Sequence, residues 1–137
     1  MKKVISCLFV ALMTALVMVS CTSKKNLDVL EGEWGVVVVG DMAVPDSVDA
    51  FLSFNVAEQT LSGYAGCNYL TGTLHDIVDV PKPLFSAIGS TRKWCPDMTI
   101  EDALLPALSH VVDFSIENDT LFLLDSTGAS VVALVRN

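Results

Sequence analysis

The sequence predicts a mainly β domain: a small curled antiparallel sheet or partly open β-barrel with one packed helix. Three observations lead there. Short alternating or β-branched runs recur between turn residues from Glu33 to Val135. Only one stretch beyond the N-terminal leader, Met98 to Ser109, repeats its apolar residues at a helical period. One helix cannot cover so many strands on both faces, so the sheet must curl around its own apolar side.

Regular structure is expected from about Leu27. Glu33 to Val39 contains Val36-Val37-Val38-Val39 and reads as the first strand, with Gly40 and Pro45 framing a loop. Phe51 to Val56 alternates and forms a second strand, Thr60 to Ala65 a third after a turn at Ala57 to Gln59, and Tyr69 to Leu74 a fourth. Pro81 and Pro83 interrupt the chain before a strand at Leu84 to Ile88. In the helix, Thr99 is placed to cap, with Asp102 three residues on, and Ile100, Leu104, Leu105 and Leu108 make one apolar face that reads as core. Pro106 lacks the amide donor, so a kink or two short helical pieces are expected. Val111 to Ile116, Leu121 to Leu124 and Ser130 to Val135 complete a meander, with Asn118-Asp119 and Asp125 to Gly128 as its turns.

The first 21 residues speak to location. Lys2 and Lys3 precede an apolar run, Val4 to Val19, that ends in Ser20 and Cys21. This is the layout of a secretory signal with a small residue at the cleavage point. Met18-Val19-Ser20-Cys21 is a relaxed bacterial lipobox, making Cys21 the lipidation site. A permanent membrane helix is the alternative, but a comfortable span needs about 20 residues; a simple soluble secreted protein is another. The expected division is a signal peptide at 1–20, a lipidated cysteine and tether at 21–29, and the domain at 30–137. The expected place is the bacterial cell envelope, outside the cytoplasm.

Sixteen acids against eight bases give a net charge of −8, and loss of Lys2 and Lys3 takes this to −10. Nucleic acid is thereby disfavoured as a partner, since its backbone demands clustered Lys or Arg. The acids are scattered, without the dense loop that calcium requires. No metal or other cofactor is expected: Cys67 and Cys95 would need His75 and His110 as further zinc ligands, and no ligand spacing repeats. Ser62, Ser86 and Ser90 lack the pentapeptide of an esterase nucleophile, and nothing selects a carboxylate pair for sugar hydrolysis. No catalytic residue is assigned, and the chain is not read as an enzyme.

Two clusters stand out: Gly63, Gly66, Cys67 and Asn68, then Ser90, Thr91, Arg92, Trp94, Cys95 and Pro96. In an oxidising exterior a cysteine pair such as Cys67 and Cys95 tends to become a disulfide, here a staple from a strand end to the helix start. Two buried thiols or a redox pair are the alternatives, the last weakened by the lack of Cys-x-x-Cys. Trp34 reads as core. Trp94, beside Arg92 and Lys93, is the best hint of a contact residue. Arg92 suits either an anionic group or the carbonyls of the loop next to Cys95.

Gly63-x-x-Gly66-Cys67-Asn68-x-x-x-Gly72, followed by Thr91-Arg92-x-x-Cys95-Pro96 and Glu101, resembles the META domain family. The opening Gly32-Glu33-Trp34 resembles the family's start, and the likeness runs from about Leu30 to Val135. Trp94 stands where the family often has Met-Ala, and Pro106 departs from its helix. The resemblance implies a compact β-rich domain with a helix after the second cysteine. It implies no common enzyme activity; members are linked to stress response, antibiotic tolerance and motility or virulence.

The expectation is therefore a lipid-anchored, non-catalytic structural or interaction domain that supports envelope stress tolerance. Its partners would be the membrane, through the anchor, and another envelope protein. The alternative is a small apolar-ligand or inhibitor module using the Trp94 corner, with Trp94 and the Pro81–Pro83 loop lining the contact.

Overall fold

The computed structural model describes residues 24–78 and 82–137, so the leader, Cys21 and Pro81 lie outside the described residues. A short 3-10 turn, Leu27–Leu30, comes first, with the Asn26 side chain accepting from the Asp28 amide. The strands are β1 (Gly32–Val39), β2 (Met42–Ala43), β3 (Ala50–Asn55), β4 (Thr60–Ala65), β5 (Tyr69–Leu74) and β6 (Phe85–Ser90). The helix α1 (Thr99–Ser109) precedes β7 (Asp113–Glu117), β8 (Thr120–Leu124) and β9 (Ser130–Arg136).

All strands join one antiparallel sheet in the order β6-β5-β4-β3-β1-β9-β8-β7, with β2 paired to β1. Two hairpin series, β3 to β6 and β7 to β9, are thus welded by β1 between β3 and β9. Alternation explains the pairing. Leu52 and Phe54 of β3, Leu61 of β4, and Leu70 and Leu74 of β5 all point inward and are buried. Register shifts at Val36/Val38, Thr71/Thr73 and Leu123/Leu124 are bulges that bend their strands and tighten the curl. The first of these breaks the alternation of the valine run, leaving Val36 and Val39 inside and Val37 partly exposed. The curl carries the outer strands towards each other: the Leu84 amide donates to the Val111 carbonyl at 2.8 Å, just ahead of β6 and β7. Helix α1 packs against β1, β4, β6 and β9 and covers the concave side. The result is a half-barrel with one helix, as the sequence predicts.

Several details differ from expectation. The loop between Gly40 and Pro45 includes β2, too short for any pattern to show. Thr99 is not the cap: Met98 occupies that position without a side-chain bond, and the Asp97 carboxylate accepts from the Thr99 amide instead. Asp102 contributes its backbone amide to the Met98 carbonyl, so no capping box forms. α1 runs through Pro106 as one helix rather than two pieces. Pro106 and Asp102 both face solvent, where water can satisfy the Asp102 carbonyl that proline leaves without its amide. At the far hairpin, Asn118 and Asp119 have φ of 49° and 63°, the left-handed pair of a two-residue turn. Lys25, read as tether, is bonded to the domain, its Nζ meeting Asp113 Oδ1 at 2.6 Å, while Asn26 caps the 3-10 turn.

Candidate functional site

Because the strands are antiparallel, the start of β3, the end of β4, the start of β5 and the end of β6 share one end of the sheet. The two sequence clusters meet there. Gly63 and Gly66 frame the approach. A Cβ at Gly63 would run into the Phe51 carbonyl, and Gly66 holds φ +92° with Val48 Cγ1 only 2.9 Å from where its Cβ would lie. Gly72 lies further along β5, opposite Leu61 and against Ile88.

The turn after Gly66 delivers Cys67 and Asn68. Cys67 is bonded to Cys95, with Cα atoms 6.0 Å apart, so the two sulfurs form the staple between the β4–β5 turn and the approach to α1. Pro96 follows Cys95 and leads to Asp97 and α1. Asn68 is 2% exposed and uses every polar atom it has. Its Oδ1 accepts from Thr91 Oγ1 at 2.8 Å and from the Lys93 amide at 2.6 Å. Its Nδ2 donates to the Lys93 carbonyl at 2.9 Å and to Glu101 Oε1 at 2.8 Å. Its own amide donates to Glu101 Oε2 at 2.8 Å, and its carbonyl accepts from the Ala65 amide.

Glu101 is thus a buried carboxylate, 5% exposed, clasped at both oxygens by a single residue. Thr91 is also doubly used, since Oγ1 accepts from the Tyr69 amide while the Thr91 amide donates to the Tyr69 carbonyl. Among the described residues, no buried side-chain nitrogen or oxygen lacks a partner. Asn68, Thr91 and Glu101 fasten strand, loop and helix together.

The fastened loop displays Trp94, 78% exposed, between a backbone held at Lys93 and a disulfide at Cys95. Arg92 is exposed and makes no hydrogen bond among the described residues, so the loop carbonyls are not its partners. That kind of role falls to Arg136, missed in the sequence. It donates to the Val29 and Glu31 carbonyls and stacks 4.1 Å from the centre of Trp34, which is 1% exposed. Tyr69 was also missed. It is 64% exposed and closes a ladder across the outer face, Phe51–Tyr64–Tyr69, with centroids 6.5 and 5.0 Å apart. Outward positions at matched register in three strands are the signal that could have found it.

Two shallow grooves mark opposite ends of the sheet. One, about 490 Å³, lies beside the disulfide and includes Asp49, Tyr64, Gly66, Pro96, Asp97 and Glu101. Hydrogen bonds from the Thr99 side chain and amide hold Asp97 below the usual carboxylate range. The other, about 480 Å³, includes Gln59, His75, Val78, Lys82, Pro83 and Ser86. Pro83 and Trp94 therefore sit at opposite ends of β6, too far apart to line one small-ligand site. Neither groove is lined by Phe or Leu. Among the described residues, no three His, Cys, Asp or Glu side chains gather to hold a metal ion, and no helix is long and apolar enough to cross a membrane.

An NMR structure of a protein from Burkholderia xenovorans has a similar fold, with a TM-score of 0.61 and 22% identity over 80% of this chain and 85% of that one. Among curated proteins, none matches. The META domain model matches residues 25–137, starting at the docked Lys25 and five residues ahead of Leu30. The chain belongs to the META domain family.

Proposed function

We propose that this is a lipid-anchored protein of the bacterial envelope whose META domain is a non-catalytic interaction module supporting envelope stress tolerance. Cys21 carries the acyl chains, after removal of residues 1–20. One observation supports the interaction role most: an exposed tryptophan, Trp94, on a loop pinned by Asn68 and by Cys95. Large aromatic side chains dominate binding energy when they are already ordered before a partner arrives. Tyr69 extends the same surface, since Thr91 at the head of the loop is paired to it. The partner class is another envelope protein; Arg92 adds an exposed cation beside Trp94.

The test is capture from native membranes by the full acylated chain, comparing wild type with Trp94→Ala and Tyr69→Ala. Trp94 stands exposed on its loop, so Trp94→Ala should keep stability within about 0.5 kcal/mol, while Tyr69→Ala loses its ring contact with Tyr64 and should cost up to about 1 kcal/mol. Capture should fall at least tenfold for Trp94→Ala. Unchanged capture removes this corner from the site.

A further inference from the structure

We propose that the anchored domain stands on its membrane with the Gln59–His75–Lys82 end down, its groove seated against the phospholipid headgroups. This rests on the acylated Cys21 of the reading above and adds an orientation to it. Covalent reach carries the first step. Three residues, Thr22 to Lys24, separate Cys21 from Lys25, and each of the four steps between them extends the chain by at most about 3.6 Å, so the anchor lies within about 14 Å of Lys25. A domain of this size has a radius of gyration of about 13 Å. Whichever surface holds Lys25 must therefore face the bilayer.

Lys25 is well fixed. Its Nζ bonds Asp113 Oδ1 at 2.6 Å and the Phe114 carbonyl, and lies 4.9 Å from the Phe114 ring centre. Two residues before Asp113, the Val111 carbonyl receives the Leu84 amide, and Leu84 follows Pro83 of the groove. Lys24 reaches the same groove independently, with Nζ 3.5 Å from Asp76 Oδ2. Two neighbouring lysines thus lead to one end of the sheet.

The chemistry of that end suits a headgroup layer. Lys82 offers a cation to phosphate, Lys24 counters Asp76, and Val78 is 41% exposed beside Pro83. The groove at the other end is lined by Asp49, Asp97 and Glu101 with no base, although the exposed Arg92 and Lys93 stand on the Trp94 loop at that end. The contrast in charge therefore lies between the two grooves, and covalent reach from Cys21 decides which end faces the lipid. It follows that Tyr69 and Trp94 point away from the membrane. The six residues of β5 set them about 17–20 Å from the His75 end.

The experiment uses the full acylated chain in vesicles of phosphatidylethanolamine and phosphatidylglycerol, with and without lipid brominated near the headgroup. The carrier is V78W in a W94F background, read against W94F alone, in which only the buried Trp34 emits. The brominated lipid should quench the introduced tryptophan at least twofold and leave Trp94 of the native chain unquenched, and K82E should weaken the quenching. Quenching of Trp94 instead, or of neither, in protein that floats with the vesicles overturns the orientation. A chain that neither floats nor carries acyl chains on Cys21 by mass spectrometry defeats the anchor itself, and the orientation with it.

Discussion

Replacing Asn68 with Ala removes the pin at the centre of the disulfide end. Three bonds to neutral partners go, two at Oδ1 and one to the Lys93 carbonyl, together with one to the Glu101 carboxylate. At about 1 kcal/mol for each neutral bond and about 2 for the charged one, the loss approaches 5 kcal/mol. The surviving bond from the residue 68 amide to Glu101, and water entering the gap, reduce this to about 3–4 kcal/mol. At about 4 °C per kcal/mol for a domain of this size, the midpoint should fall by roughly 12–16 °C. Urea and thermal unfolding with the disulfide intact measure both figures. Asn68→Asp gives a sharper signature, because it sets a second carboxylate against Glu101 Oε1 where Nδ2 now lies 2.8 Å away. Two such carboxylates share a proton, so this variant should recover stability relative to wild type as pH falls from 7 towards 5. An Asn68→Ala protein within about 1 kcal/mol of wild type would refute the reasoning.

Other outcomes can be checked alongside. Cys67→Ser with Cys95→Ser opens a link between residues 28 apart and should cost about 3–4 kcal/mol in urea unfolding, on the chain-entropy account. Gly66→Ala must hold a left-handed φ and displace Val48, so a loss of about 1–3 kcal/mol is expected by thermal unfolding. Asp125 accepts from the Thr127 hydroxyl and amide and from the Ala129 amide, and its carboxyl is held below the usual range, chiefly by the Thr127 side chain. Its contribution is present above the unfolded value of about 3.9 and is lost as pH falls through the lower folded value. Asp125→Asn should flatten that part of the acid-unfolding curve.

Most of the fold was legible because alternation and turn residues act locally. Phe51 to Asn55 and Thr60 to Ala65 declare their buried faces without help, and Asn118-Asp119 fits its turn by side-chain type alone. β2 was not legible, since its two residues are set by pairing with Val38 and Val39. The cysteine staple could be read from compartment and count, but the burial of Glu101 escaped. It lies three and seven residues before Leu104 and Leu108, on the apolar face, and an acid there demands a buried partner. Asn68 is that partner, and their meeting depends on how α1 crosses the sheet end. Arg136 escaped for the same reason: its acceptors are 105 and 107 residues away in the chain.

That these motif residues hold the fold together is tested most directly at Glu101. Glu101→Gln keeps the shape but turns an amide group towards one of two donors from Asn68, so the unfolding free energy should drop by about 2–3 kcal/mol. A Glu101→Gln protein that unfolds at the wild-type midpoint would contradict the account.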